Sequence, residues 1–311
     1  MLEPDQHGTF VADDCRTETL PERDRLPAVQ GGGGAAATYI QRVLVVLAAR
    51  PPALSSPSMT TLAARILLAI LILFILPLVT HALWWATRHD LAPDWSSADW
   101  SSAKILPPPR EHRPALVRIY AARTGRWKGI FAHHSWIVVK EEGASRYTRY
   151  DKVGWGSPVR TDAWPADARW FGNEPQLVLA LDGADAERLI PEIRKAVAEY
   201  PYARYGDYRV WPGPNSNTFV AYVAGKVPGL QAALPPTALG KDFHPLGDFV
   251  GITPSRTGMQ VQLGGFLGLT IGWVEGVELN FLGLVTGIDL RHPALKLPGW
   301  GRIGLPLSVS T

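Results

Sequence analysis

Hydrophobic and polar residues follow three different patterns along the chain, and each predicts a different kind of element. Residues 66–86, I-L-L-A-I-L-I-L-F-I-L-P-L-V-T-H-A-L-W-W-A, are almost wholly apolar. As a helix rising about 1.5 Å per residue they reach about 31 Å, the thickness of a bilayer's hydrocarbon core. From residue 114 the pattern alternates instead: A-L-V-R-I-Y-A-A-R, then runs at 134–140, 145–153 and 175–181, all suit half-buried strands. E-E-G-A-S, with Gly143, supplies the turn that makes the second and third runs an antiparallel hairpin. Residues 184–200 place Leu189, Ile193, Ala196, Val197 and Tyr200 at helical spacing with charges on the other face, and Asp182 near the start. The turn P-G-P-N then precedes the apolar stretch 219–227, which puts Ser216 in the first turn of a second helix. The third pattern spans 258–290, where Gly264, Gly268, Gly272 and Gly276 stand four apart in an apolar sequence. Small residues at that spacing suit helix packing in membranes, but Glu275 and Glu278 interrupt the run and 263–274 is too short to span. The alternations M-Q-V-Q-L and V-E-L-N-F favour Gly-rich hairpins packed on the core, with insertion into the outer leaflet left open.

The apolar run reads as a single-pass membrane helix. Trp84 and Trp85 suit an interfacial belt, and Arg42, Arg50 and Arg65 precede it, which places the N-terminal side in the cytoplasm. A cleaved signal peptide competes, because Thr80-His81-Ala82 resembles a small-residue cleavage site; the run is long for that, so an uncleaved anchor is preferred. Residues 1–58 have no domain-like pattern. Met59 followed by T-T-L-A-A-R makes a natural start for an anchor over 59–90, so 1–58 reads as a disordered cytoplasmic tail or an over-extended reading frame. After the anchor, the tandem D-W-S-S-A-D-W-S-S-A and Pro107 to Pro109 mark 91–113 as a linker, with Trp95 and Trp100 resting on the membrane or the domain.

Composition narrows the function classes. At 311 residues, 46% hydrophobic and 19% charged, the chain can bury one substantial domain, assigned to 114–250, and carry a Gly-rich β extension over 251–311. A net charge of +3 with no basic run argues against a nucleic-acid partner. The one cysteine, Cys15, lies far upstream, which excludes an intrachain disulfide, a cysteine-based zinc site and a cysteine nucleophile in the domain. His133 and His134 are neighbours on a strand and point to opposite faces, so they cannot share an ion. No metal and no cofactor is expected.

The candidate chemistry is a hydroxyl beside a base. Serine is a poor nucleophile until a base takes its proton, and His134 on a strand is the candidate base for Ser216. A helix start adds amide groups that stabilise an oxyanion, and a third polar group fixes the histidine tautomer. Counting back from a turn at Glu142-Gly143 pairs His134 with Asp151 on one sheet face; a one-residue slip would turn Asp151 away. Tyr205, Asp207 and Tyr208 are further polar groups near the turn. Asn215 or Ser216 is also what an ordinary helix cap would be, and a lone strand histidine is commonly a packing residue.

The motifs D-W-S-S-A, G-R-W-K-G-I-F-A-H-H-S-W-I-V-V-K, Y-D-K-V-G-W-G, W-P-G-P-N-S-N-T-F-V and L-G-K-D-F resemble a bacterial family known as domain of unknown function 3750. That resemblance implies an inner-membrane-anchored domain, mainly proteobacterial, with no established activity. More distantly, a strand histidine preceding N-S-N-T-F-V resembles the permuted papain-like hydrolases of the NlpC and lecithin retinol acyltransferase type. Carried over, those roles fall on Ser216 as nucleophile and His134 as base, with serine where the family has cysteine, a less acidic group. The expected architecture is α+β: a single-pass helix, then a permuted papain-like antiparallel sheet packed on helices, in the periplasm. Three functions follow from it: a serine-variant hydrolase or acyltransferase acting on amide or ester bonds of cell-wall peptides or lipids, an inactive module binding such an envelope ligand, or a structural envelope protein.

Overall fold

A computed structural model describes residues 58–88, 92, 94–156 and 158–305. The tail at 1–57, with Cys15, lies outside the described residues. The fold is mixed, with helices and two antiparallel sheets.

Helix α1, Met59–Ala86, is 28 residues long and apolar enough to cross a membrane. Its middle, Leu71–Ile75, widens to π-helical spacing just before Pro77, whose ring and missing N–H disturb the ladder of the preceding turn. The first part, Met59–Ile70, buries nothing, but Phe74, His81 and Trp85 are covered. Phe74 meets Phe281 with ring centroids 5.6 Å apart, and Trp85 Nε1 donates to the Arg126 carbonyl at 3.1 Å. Trp85 lies where a side chain at Gly129 would stand, so only glycine fits there.

The first sheet runs β4-β3-β2-β1-β5. Its strands are β1 (Leu116–Arg123), β2 (His133–Lys140), β3 (Thr148–Lys152), β4 (Val159–Thr161) and β5 (Gln176–Asp182). Both faces are covered, so β2 is buried along its whole length. Helices α2 (Gly183–Ala198) and α3 (Ser216–Lys226) cover one face. There Val117, Ile119, Ile137 and Val139 pack with Leu189, Ile193, Phe219 and Val223. On the other face Leu116, Tyr120, Trp136 and Val138 pack with Trp170. Residues 94–113, expected as a linker, are fastened over this second face. Asp167 holds them, accepting from Ser102 Oγ at 2.7 Å and the Ile105 amide at 2.9 Å, and Trp100 packs edge-on against Trp170.

The β2–β3 hairpin turns through Gly143 at φ +70, but its register differs from the one counted from the turn. The observed pairs are Ile137 with Tyr150, Val138 with Arg149 and Val139 with Thr148. Continued along the strands, that register sets Asp151 opposite Trp136, two residues from His134. An even slip preserves the face, so Asp151 remains on the side of His134 and reaches it diagonally.

The second sheet is a meander of seven strands in chain order. They are β6 (Val250–Ile252), β7 (Gly258–Leu263), β8 (Leu267–Gly272), β9 (Gly276–Phe281), β10 (Leu284–Asp289), β11 (Ala294–Leu297) and β12 (Gly301–Gly304). Its polarity is the reverse of a sheet packed on a core by its apolar side. Gln260, Gln262, Thr270, Glu278, Asn280 and Lys296 are buried, whereas Met259, Val261, Leu263, Leu269 and Ile271 are exposed. Many of the buried polar groups pair with one another: Glu278 takes the Lys241 and Lys296 ammonium groups, each at 2.5 Å, and Gln262 donates to Thr270 at 3.1 Å, although Gln262 Oε1 has no partner. On the outer face the strand register aligns Ile252, Met259, Ile271, Val277, Ile288, Leu295 and Ile303 in one row across all seven strands.

Candidate active site

A cleft of about 840 Å³ opens where β2, β3 and the start of α3 meet, lined by both His134 and Ser216. Its other walls are largely apolar and include several aromatic side chains, Trp155, Trp170, Trp211 and Tyr208 among them, and Leu78 of α1 and Leu282 also line it.

His134 is fixed by a hydrogen bond and a stacked ring. Nε2 lies 2.8 Å from Asp151 Oδ1, and the ring stacks on Trp170 with centroids 3.7 Å apart and planes 8° from parallel. Asp151 in turn is gripped by Arg149, which donates Nε to Oδ2 at 2.7 Å and Nη2 to Oδ1 at 2.9 Å. Arg149 is anchored through Nη1 to the Pro165 carbonyl at 2.8 Å and lies 4.1 Å from the Trp136 ring centroid. Burial alone would push the Asp151 carboxyl up, but the Arg149 charge and the bonds from Arg149 and His134 outweigh it and hold the acid below its usual range. An ionised carboxylate only accepts, so Nε2 carries the imidazole hydrogen and Nδ1 is the basic nitrogen. Burial, reinforced by the Arg149 charge, keeps His134 below its ordinary 6.5 despite Asp151. The ring is therefore neutral and basic at neutral pH.

Ser216 is the first residue of α3, and Asn215 before it is the cap. Asn215 Oδ1 accepts from the amides of Asn217 at 2.9 Å and Thr218 at 3.2 Å, while Thr218 Oγ1 accepts from the Asn215 amide at 3.1 Å. Capping is thus complete without the Ser216 hydroxyl, and the Ser216 amide takes no part in it. The helix start is tied to the strand bearing the base: Ser135 Oγ donates to Asn217 Oδ1 at 2.8 Å, and Asn217 Nδ2 donates to the His133 carbonyl at 2.9 Å. Tyr208 lines the cleft together with Ser216, and burial pushes its phenol up to about 12, so it stays protonated.

His134 and Asp151 are bonded to each other on the sheet face that carries Trp170, whereas Ser216 opens α3, which covers the opposite face; His134 and Ser216 line the same cleft at the end of the sheet, and Asp151 lies behind His134. Of the other polar groups near the turn, Tyr208 reaches the cleft, Tyr205 is exposed, and Asp207 accepts from the Arg204 amide at 2.8 Å. His133 turns away from His134; both its ring nitrogens are buried without a hydrogen-bond partner, and burial followed by the Arg123 charge lowers its pKa well below 6.5. Sequence reasoning missed Arg149 and Trp170. Arg149 was accessible in principle, since it stands two residues before Asp151 and so shares its face. Trp170 lies in an irregular stretch where no periodicity points to it. Among the described residues no group of three histidine, cysteine, aspartate or glutamate side chains could hold a metal ion.

Residues 114–243 match the model of a family described as a protein of unknown function (DUF3750). The match takes in β1 to β5, both covering helices and all three candidate site residues, and ends before the second sheet. No curated protein matches the chain, and no solved structure does.

Proposed function

Residues 114–243 belong to the DUF3750 family of unknown function, and on that premise we propose that the domain is a serine hydrolase or acyltransferase of the permuted papain-like kind, acting on ester or amide bonds. The observation that carries this reading is the pre-oriented imidazole of His134, bonded to Asp151 at 2.8 Å and lining the same cleft as Ser216. Two carboxylate bonds from Arg149 and a stacked tryptophan hold one imidazole tautomer, more support than a packing histidine needs.

In the proposed reaction, Ser216 Oγ reaches across the end of the sheet toward His134 and attacks the carbonyl carbon of the bound acyl group. Nδ1 takes the hydroxyl proton, and Asp151 stays ionised and steadies the imidazolium. The carbonyl oxygen becomes an oxyanion that the Ser216 amide, at the positive end of α3, is placed to stabilise, with the protonated Tyr208 as a second donor. Collapse breaks the bond to the leaving alcohol or amine, which receives the proton from Nδ1. Water or an acceptor alcohol then attacks the acyl-serine, and the same histidine serves as base.

The cleft's largely apolar walls, with Leu78 of α1 among them, support an apolar acyl substrate of the cell envelope. We read α1 as an uncleaved single-pass anchor in the bacterial inner membrane, with the domain on the periplasmic side. Its length supports this, and so does its docking through Phe74, His81 and Trp85, which a removed signal peptide would not need. The proposed partners are the membrane and a cell-wall peptide or lipid.

A second reading, an inactive module holding the same class of ligand, draws support from the sheet: His134 packs on the face with Trp170, whereas Ser216 belongs to the helix on the opposite face. Turnover of fluorogenic acyl esters by the detergent-solubilised full chain separates the two. The hydrolase turns over the ester and loses that activity in both Ser216→Ala and His134→Gln; the binding module shows no turnover above the Ser216→Ala background.

A further inference from the structure

The second sheet presents its apolar face outward and its charged face inward, and neither is accidental. Its inner side meets α3 and the segment before β6: Lys241 bonds Glu278, and Arg256 donates to the Gly225 carbonyl at 3.2 Å. The sidedness is therefore fixed by bonds within the domain, and a flip would bury the aliphatic row and expose nothing useful. Along the outer side, the seven-residue row from Ile252 to Ile303 is flanked by a second, Val250, Val261, Leu269 and Leu279, and by a third, Leu263, Leu267, Phe281 and Leu284. None of these rows contains a charged residue. Sheets in water put their polar side out; apolar-out and polar-in is the alternation of strands that face lipid.

Helix α1 says what covers this face. Phe281 belongs to the outer third row, and Phe74 of α1 rests on it, so the apolar helix lies on the apolar side of the sheet. The length of α1 then sets a constraint. Arg65 marks the charged end of the run, and the domain already covers the helix at Phe74. The residues between them extend only about 12 Å, against about 30 Å of hydrocarbon to be crossed. The remaining depth is supplied by the turns from Phe74 to Trp85, which are docked on the domain. A helix so docked can cross the bilayer only if the docked surface enters it as well.

We propose that the outer face of the second sheet is a lipid-contacting surface, immersed in the leaflet beside α1, and that its occupant is the bilayer itself. The proposal does not depend on catalysis at Ser216. It shares the membrane setting of α1, and the test below separates the two.

The full chain with Cys15→Ser, reconstituted in phosphatidylethanolamine–phosphatidylglycerol vesicles, receives one spin label at a time through Ile271→Cys, Leu279→Cys, Leu67→Cys or Glu192→Cys. Leu67 is exposed on the free part of α1, and Glu192 is exposed on α2. Collision with oxygen reports lipid exposure, and collision with a water-soluble nickel chelate reports water. The expected result is an oxygen-to-nickel ratio at Ile271 and Leu279 that matches Leu67 and exceeds Glu192 several-fold. Ratios at the two sheet positions that match Glu192 while Leu67 stays in lipid would overturn the proposal and leave the anchor intact. Labels shielded from both reagents and broadened by a neighbouring label would show that a second copy covers the face, and would overturn it equally.

Discussion

His134 and Asp151 face each other diagonally across two antiparallel strands, Nε2 to Oδ1 at 2.8 Å, with neither side chain open to water. A buried ionised carboxylate is costly unless paired, and here it has two partners, the imidazole and the Arg149 guanidinium. The pair therefore has a structural and a chemical role at once, and substitutions can separate them.

Asp151→Asn removes the charge that Arg149 neutralises and the acceptor that selects the His134 tautomer. The expected loss of stability is about 3–5 kcal/mol, because a buried guanidinium is left uncompensated. Ester turnover falls by about 10²–10⁴-fold, the usual worth of positioned acid–base catalysis. Denaturant unfolding and steady-state rates check both numbers. An asparagine variant with full turnover would remove Asp151 from the account.

Trp170→Ala takes away the ring that stacks on His134 and part of the core beneath segment 94–113. A loss of about 3–5 kcal/mol is expected for truncating a buried tryptophan. Trp170→Phe retains a stacking surface and costs less. Admitting water beside the imidazole also relieves the burial that lowers its pKa, so the His134 titration followed by NMR moves up toward 6.5 in the alanine variant.

Both His133 and His134 are held neutral by burial, with folded pKa values below 6.5. Below that pH the unfolded chain binds protons that the folded chain does not, so stability is complete above it and declines as the solution is acidified. The thermal unfolding midpoint should fall steadily below about pH 6.5, and His134→Gln should flatten part of that slope. Because the reaction needs neutral imidazole, the acid limb of the rate profile also lies below the ordinary histidine range. A midpoint that rises on acidification would show that the histidines are charged in the folded state.

Much of the site was legible because it lies on regular elements. Period-two alternation identified the strand of His134, and P-G-P-N before an apolar run located the start of α3. Asp151 was reached from a register that was off by two residues, and it survived because side-chain direction repeats every two. The cap ambiguity between Asn215 and Ser216 needed the structure, since a capping box depends on which side chain turns back. Trp170 and the docking of 94–113 belong to irregular chain, where contacts come from tertiary packing and leave no local pattern. The second sheet failed in a different way. Its alternation was visible, but alternation states that one face is apolar and does not state which side faces the domain.

The account turns on whether the Ser216 oxygen is activated by His134. Treating the full chain with a fluorophosphonate probe, followed by peptide mass analysis, tests that step without knowledge of the substrate. The prediction is a phosphonylated peptide carrying the label on Ser216, absent in Ser216→Ala and strongly slowed in His134→Gln. Equal labelling of wild type and Ser216→Ala, or no labelling of the folded wild type, would contradict a serine nucleophile.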